Sequence, residues 1–148
     1  IEINIRALRY EELDEKDRKL IDAAKEATAR SYAPYSHFSV GAAALLANGV
    51  VVTGSNQENA AYPSGTCAER TTLFYANSQY PDQAVDTLAI AARSETGYLD
   101  SPIPPCGACR QVMGEFHIDR IIMANLKGDV KVVTLEELLP FAFSDKDL

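Results

Sequence analysis

The length, composition and charge of the chain restrict its class before any motif is considered. Its 148 residues suit one domain, and 47% hydrophobic with 24% charged residues is ordinary for a globular protein. The 14 basic and 21 acidic residues give a formal net charge of −7 without a Lys/Arg cluster, which disfavours a nucleic acid partner. No apolar run reaches the roughly 18 residues of a membrane span, and no signal-peptide pattern is present, so neither a membrane nor secretion is expected.

The first third of the chain predicts one helix and one hairpin. Apolar residues recur on one face of residues 13–32 with charged residues opposite, which is typical of an amphipathic helix. Asn48-Gly49 then separates two apolar runs, and this dipeptide is a strong hairpin signal. We therefore expect strands near 39–47 and 50–56.

The rest of the chain predicts six further elements in the order helix, strand, helix, strand, strand, helix: residues 67–79, 85–93, about 106–116, 119–126, 129–134, and a short last helix that starts at Thr134 and stops at Pro140. Thr134 and Glu137 match the capping box that begins a helix. Helices interleaved with five strands predict an α/β fold of three α-β-α layers with a mixed five-stranded sheet. No repeat, linker or low-complexity segment divides the chain, so residues 1–148 are expected to form a single domain.

The three cysteines indicate a metal site rather than disulfides. An odd number argues against a disulfide framework and predicts a reducing, cytoplasmic location. Cys67 starts one predicted helix, and Cys106 and Cys109 lie at the start of another, where free backbone N–H groups favour thiolates. Three thiolates that converge from two helix ends are typical of zinc. A redox pair would use Cys106 and Cys109 and leave Cys67 without a role.

The count of three ligands favours a catalytic zinc site over a structural one. Structural sites are closed by four protein ligands, whereas catalytic sites keep the fourth position for water. His117 is expected about 16 Å away, at the far end of its helix. His37 could still complete a closed site, so that alternative stays open at this point.

Three neighbours of the cysteines have predicted roles. Glu69 lies where a carboxylate can touch metal-bound water without being a ligand, as a proton shuttle requires. An acidic residue there would also complement the helix dipole. Three thiolates and Zn²⁺ carry a formal charge of −1, so Arg70 and Gln111 are expected to donate hydrogen bonds to the sulfurs, unless both are ordinary surface residues.

The segments around the cysteines resemble a known family. "CAER" followed by "PPCGACRQV" is similar to the signature of the small, single-domain cytidine deaminases, in which Cys67, Cys106 and Cys109 match the ligands of one Zn²⁺ per chain. The similarity continues in "YSHFSVGAA", "NQENAAYPSG" and "ELLPFAF". The resemblance implies a cytidine deaminase-like fold. It also implies deamination of cytidine and 2′-deoxycytidine to uridine and 2′-deoxyuridine plus ammonia, in pyrimidine salvage, by a zinc-activated water with Glu69 as shuttle.

The resemblance also implies contacts with the substrate. Asn56 and Glu58 match residues that hydrogen-bond the ribose hydroxyls, although alone they could be a strand end and a solvated loop charge. Phe38 matches an aromatic residue that packs on the pyrimidine, although a Phe that opens a strand is more often core. The backbone around Ala68 and Pro104 is expected to face the base.

Two further matches imply an oligomer. Tyr62 and Phe143 match residues that complete the site of a neighbouring subunit, so the resemblance implies a homotetramer with shared sites. The chain departs from the family pattern at Ser39, Thr66 and Pro104. If the contact at Pro104 is a backbone carbonyl, proline preserves it because only the N–H is lost.

Three other functions compete with nucleoside deamination. A nucleic-acid-editing deaminase would need a basic strand-binding surface, which the net charge disfavours. A deaminase for a cytosine-containing antibiotic or a modified nucleoside is disfavoured by "NQEN", which belongs to ribose recognition. A non-catalytic zinc-stabilised binding module would hold the same metal, so only loss of the cytidine absorbance band on mixing would separate it from an enzyme.

Overall fold

The structure is a computed structural model that describes residues 2–95 and 99–148. These residues form six strands and four α-helices. In chain order these are β1 (Arg6–Arg9), α1 (Glu15–Ala27), β2 (Phe38–Leu46), β3 (Val51–Ser55), α2 (Ala68–Gln79), β4 (Val85–Ser94), α3 (Gly107–Glu115), β5 (Arg120–Ala124), β6 (Asp129–Thr134) and α4 (Leu135–Leu138).

The strands form one sheet in the order β1-β6-β5-β4-β2-β3. The pair β4/β5 is parallel and the other neighbouring pairs are antiparallel, so the prediction of a mixed sheet in an α/β fold is confirmed. Parallel neighbours need a crossover connection, and α3 lies within the segment that joins β4 to β5.

The prediction of five strands is wrong, because the sheet has a sixth strand, β1. This strand is four residues long, begins and ends with arginine, and pairs antiparallel with β6 at the edge of the sheet. Arg9 also donates to Asp129 on β6 at 2.7 Å. Edge strands tolerate charged residues, so β1 lacks the apolar pattern that reveals a buried strand.

Each face of the sheet is covered by helices, which gives the three layers. On one face, Leu20, Ile21 and Ala24 of α1 pack against a buried set of alanine, valine and isoleucine side chains from β2, β4, β5 and β6. On the other face, Leu73 of α2 and Met113 of α3 pack against the alternate residues of the same strands. The alternation follows from the two-residue period of a strand.

Local signals set most element boundaries. Gly49 has φ +88°, which allows the turn between β2 and β3, and the capping box of Thr134 and Glu137 begins α4 as predicted. The first helix is shorter than the predicted 13–32, because residues after Ala27 continue as a single 3₁₀ turn. Within residues 2–95 and 99–148, no helix combines the length and the apolar character needed to cross a bilayer.

Candidate active site

Three sulfur atoms meet where α2 and α3 begin. Cys67 is the N-cap of α2, Cys106 is the N-cap of α3, and Cys109 lies in the first turn of α3. The Sγ atom of Cys106 is 3.9 Å from that of Cys67 and 3.4 Å from that of Cys109. All three cysteines of the chain are free thiols, so they form no disulfide.

The spacing of these sulfurs fits one zinc ion. Zinc binds thiolates at about 2.3 Å with tetrahedral geometry, which places ligand sulfurs about 3.8 Å apart. The three Sγ atoms lie within 4.8 Å of one another without any rearrangement of the two helices. A set of three thiolate ligands also binds zinc in preference to the harder divalent cations.

Arg70 supplies positive charge beside the sulfurs. Its Nη2 donates to the Sγ of Cys67 at 3.4 Å. Hydrogen bonds from Cys109 and then from Arg70 lower the pKa of Cys67 to about 5. The hydrogen bond with Cys67 and burial raise the pKa of Cys109. The hydrogen bond predicted from Arg70 to a sulfur is therefore present in the structure.

Glu69 is buried beside the cluster, with 5% of its surface exposed. Burial, and after it the negative charge of Cys67, raise the pKa of its carboxyl. Glu69 does not belong to the group of residues whose ligand atoms lie within 4.8 Å of one another. Its carboxyl therefore lies outside the group of three candidate ligands.

Neither histidine of the chain joins the cluster. His37 pairs with Glu95 at 3.3 Å, and His117 pairs with Asp145 at 3.5 Å; both side chains are more than half exposed. The closed structural site that needs a histidine ligand therefore has no support in this arrangement.

Gln111 is placed differently from the prediction. Its Nε2 donates to the backbone carbonyl of Phe143 at 2.8 Å, and among the described residues no hydrogen bond joins Gln111 to a sulfur. The predicted role of Gln111 as a donor to a thiolate is therefore corrected. Its side chain instead holds the C-terminal segment against α3. This contact forms only because the segment around Phe143 returns to α3 in the folded chain.

A cavity of about 450 Å³ opens beside Cys67. This volume is within the range of small-molecule sites. The lining brings Asn56, Glu58, Tyr62 and Cys67 to one space. It comes from residues 35–36, 56–59, 62, 65–67 and 70. Arg70 is the only Lys or Arg among the lining residues, and its guanidinium already contacts Cys67.

Glu58 presents an ionised carboxylate to this cavity. Its Oε2 accepts from the hydroxyl of Ser36, and its Oε1 accepts from the backbone N–H groups of Tyr35 at 3.0 Å and Ser36 at 3.2 Å. The hydrogen bond from the Ser36 hydroxyl is the main reason that the pKa of Glu58 is lowered. Sequence analysis did not select Ser36, although a serine two residues before a bonded N–H is a recognisable turn signal.

Asn56 is held by the start of β2. Its Oδ1 accepts from the N–H of Val40 at 2.8 Å, and its Nδ2 donates to the carbonyl of Phe38 at 2.9 Å. One N–H of the Asn56 amide and one lone pair of its oxygen remain for a ligand. The side chain is therefore oriented by β2 and can still make further hydrogen bonds.

The other predicted site residues lie around the cavity with different exposure. Tyr62 lines it and is 80% exposed. Glu69, Cys106, Cys109 and Gln111 do not line it. Neither do Phe38, which is half-buried, Ala68, which is buried, and Pro104 and Phe143, which are exposed. Ser39 is half-buried and accepts a hydrogen bond from the hydroxyl of Ser31, and Thr66 pairs through its backbone with Gln57.

Known proteins match both the sequence and the fold. The family described as the cytidine and deoxycytidylate deaminase zinc-binding region matches residues 14–125. The cytidine deaminase of Halalkalibacterium halodurans is 46% identical over 131 residues, which cover 87% of this chain and 95% of that protein. The cytidine deaminase of Sporosarcina psychrophila is 45% identical over 132 residues, which cover 88% of this chain and 93% of that protein. The crystal structure of cytidine deaminase from Burkholderia pseudomallei matches with a TM-score of 0.78 at 41% identity, over 88% of this chain and all of that one. The chain therefore belongs to the cytidine and deoxycytidylate deaminase zinc-binding family.

Proposed function

We propose that the protein is a zinc-dependent hydrolase that deaminates cytidine and 2′-deoxycytidine to uridine and 2′-deoxyuridine plus ammonia, as in pyrimidine salvage. The observation that carries the proposal is the meeting of three cysteine sulfurs with one buried carboxyl group, Glu69, beside a cavity of nucleoside size. The family match and the 46% identical cytidine deaminase support the same reaction.

Cys67, Cys106 and Cys109 would hold the zinc ion through their sulfurs. Zinc bound by three protein ligands lowers the pKa of water from 15.7 toward about 7, which supplies a nucleophile at neutral pH. Arg70 offsets part of the negative charge of the thiolates through its hydrogen bond to Cys67. The chain therefore provides both the ligands and the compensating cation.

Glu69 would move the protons of the reaction. It takes one proton from the attacking water and delivers it to N3 of the pyrimidine, while the hydroxide adds to C4. It then carries the remaining hydroxyl proton to the C4 amino group, which leaves as ammonia, and a carbonyl forms at C4. A buried carboxyl with a raised pKa suits both steps, because burial favours its protonated form.

The remaining residues would orient the nucleoside. Asn56 and Glu58 would bind the ribose hydroxyls, Phe38 would pack on the pyrimidine, and the backbone of Ala68 and Pro104 would face the base. The ionised carboxylate of Glu58 in the cavity favours a hydroxyl donor over a phosphate, because two negative groups would repel each other. A nucleoside is therefore preferred over a nucleotide such as deoxycytidylate.

An ultraviolet deamination assay tests this function directly. Zinc-loaded protein is mixed with cytidine, 2′-deoxycytidine, cytosine, cytidine monophosphate and deoxycytidylate, and loss of the cytosine absorbance band is followed. We expect turnover of the two nucleosides and little of the free base or the nucleotides. Turnover of the nucleotides alone would contradict the substrate assignment, and turnover of none would favour a binding module.

The protein is further proposed to be a homotetramer in which subunits share sites. Tyr62 lines the cavity and is 80% exposed, and the side chain of Phe143 is 61% exposed while its backbone is held by Gln111. Aromatic side chains this exposed are typical of interfaces. Light scattering should give about four times the chain mass of 16.1 kDa, and a value equal to one chain would contradict the proposal.

The cellular location that suits this site is the cytoplasm. The three cysteines are free thiols, and zinc binding requires that they stay reduced. An oxidising compartment would join Cys106 to one of its two neighbours, whose sulfurs lie at 3.4 Å and 3.9 Å, in a disulfide and so remove two ligands. Fractionation of cells that express the protein tests this inference.

A further inference from the structure

We propose that Ser36 is a positioning residue for the nucleoside site, because its hydroxyl connects the carboxylate of Glu58 to the backbone of Phe38. The inference rests on the proposed function, in which Glu58 binds a ribose hydroxyl and Phe38 packs on the pyrimidine. Ser36 lies in the segment "YSHFSVGAA", but neither the motifs nor the family resemblance gave it a role.

The hydroxyl of Ser36 lies between the two groups and bonds to both. It donates to Oε2 of Glu58 and accepts from the N–H of Phe38 at 3.1 Å. A serine hydroxyl has one proton to donate and lone pairs to accept, so both bonds can form together. The side chain thus links the ribose end of the site to the pyrimidine end.

The donors around Glu58 leave one free direction on its carboxylate. A carboxylate has about four lone-pair positions. Three of them are used by the Ser36 hydroxyl and by the N–H groups of Tyr35 and Ser36. The remaining lone-pair position is on Oε2 of Glu58, which lines the cavity. This position accepts one substrate hydroxyl in a defined orientation.

The two segments that carry these residues are tied together by their backbones. Tyr32 donates its N–H to the carbonyl of Asn56 at 2.9 Å, and Glu58 donates its N–H to the carbonyl of Tyr32 at 2.8 Å. These bonds bring Glu58 near the turn at Ser36, but they do not set the rotation of its carboxylate. The Ser36 hydroxyl fixes that rotation together with the N–H groups of Tyr35 and Ser36, and it is the side-chain group among the three.

Phe38 is held from both sides by this network. Its N–H donates to the Ser36 hydroxyl, and its carbonyl accepts from Nδ2 of Asn56 at 2.9 Å. The residue proposed to contact the base is therefore fixed by two of the groups that surround the ribose. Loss of the Ser36 hydroxyl would release one of these two bonds.

A double-mutant cycle tests whether Ser36 acts through Glu58. Zinc-loaded wild-type protein, Ser36→Ala, Glu58→Ala and the double variant are assayed with cytidine, and kcat and KM are determined separately. We expect Ser36→Ala to raise KM about tenfold, the size of a lost bond to a charged group, with kcat within about twofold. In the Glu58→Ala background, Ser36→Ala should change kcat/KM less than about twofold.

Ser39→Ala is the matched control. It removes a hydroxyl three residues further along, whose partner is the Oγ of Ser31 at 2.6 Å and not Glu58. Its KM should stay within about twofold of wild type. Ser36 is exposed, so its substitution opens no buried cavity, and an unchanged melting temperature checks that the fold is intact.

The outcomes separate the inference from the function on which it rests. If Ser36→Ala keeps the wild-type KM, or if its effect appears in full in the Glu58→Ala background, Ser36 does not position Glu58. If wild-type protein leaves cytidine unchanged, the proposed function itself is wrong. If Glu58→Ala is as active as wild type, the ribose role of Glu58 is wrong, and the inference is lost with it.

Discussion

The helices of this protein begin in two different ways. At the start of α1, the side chain of Asp14 accepts from the N–H of Asp17 at 2.9 Å, and at the start of α4, Thr134 accepts from Glu137. At the starts of α2 and α3, the N-cap residues Cys67 and Cys106 make no side-chain cap hydrogen bond. The difference separates the two helices that carry the proposed metal site from two that only support the fold.

The cysteines at these cap positions lower the stability of the two helix starts. A side-chain cap contributes roughly 0.5–2 kcal/mol to helix stability. Helices α2 and α3 lack this contribution because their cap positions hold sulfurs that face each other 3.9 Å apart. A metal bound to these sulfurs would join the two helix starts to each other.

The largest effect is expected from the acidic residues in the first turns. Glu69→Gln on α2 should lower kcat about 10²–10⁴-fold or more, because it removes the proton shuttle, while zinc content and melting temperature stay the same. The matched control is Glu15→Gln in the first turn of α1, where the carboxylate is exposed and pairs with Lys19. Near-normal turnover by Glu69→Gln would contradict the proposal that α2 carries a catalytic residue and α1 does not.

A large effect on stability is expected on the α1 side. A Cβ at Gly41 would lie 2.1 Å from the carbonyl oxygen of Ala24 and 2.7 Å from the N of Thr28, so Gly41→Ala should lower the free energy of unfolding by about 3 kcal/mol. A Cβ at Gly114 on α3 would lie 3.9 Å from its nearest neighbour, a side-chain atom of Leu135. Gly114→Ala should therefore raise the free energy of unfolding by about 0.5–1 kcal/mol. Urea unfolding of the zinc-loaded proteins measures both. Equal stability of the two variants would contradict the comparison.

Metal affinity should depend on the arginine of α2 and not on that of α1. Arg70→Ala removes the donor to Cys67 and should weaken zinc binding about 10–100-fold, as loss of an outer partner of a ligand does. Arg18→Ala is the control, because Arg18 donates to the carbonyl of Leu13 on the opposite side of the sheet. Competition with a chromogenic chelator measures both affinities. Unchanged affinity in Arg70→Ala would show that the charge of the thiolates is compensated elsewhere.

The smallest effects are expected at the caps themselves. Asp14→Ala should lower the free energy of unfolding by about 1 kcal/mol, because it removes the cap of α1. Cys106→Ser should raise it by up to about 1 kcal/mol in metal-free protein, because serine can cap α3, although the variant loses a zinc ligand. Thermal unfolding with a chelator present gives both values. A metal-free Cys106→Ser variant less stable than wild type would argue that the sulfur already stabilises the helix start.

Local patterns predicted the elements whose cause is local. The hairpin at Asn48-Gly49 and the capping box at Thr134 are confirmed, because turn geometry and cap bonds involve residues that are close in sequence. The starts of α2 and α3 at Cys67 and Cys106 were predicted for the same reason. The zinc-site pattern followed from these starts together with the count of cysteines.

The errors fall where distant segments meet. Strand β1 forms because Arg6–Arg9 pairs with the edge of β6, 120 to 126 residues away along the chain, although its own sequence lacks a strand pattern. Gln111 bonds to Phe143 because the C-terminal segment returns to α3. Ser36 was missed because its partner Glu58 is reached only when two loops pair.

By itself, the sequence determined which residues begin the helices and which residue types could hold a metal and move a proton, because those properties belong to single side chains and their near neighbours. Only the tertiary structure decided that three sulfurs lie within 4.8 Å, that Glu69 is buried beside them, and that Glu58 is oriented by the turn at Ser36. Distances, burial and the free directions of a hydrogen-bonding group depend on the packing of the whole chain, and no short segment contains them.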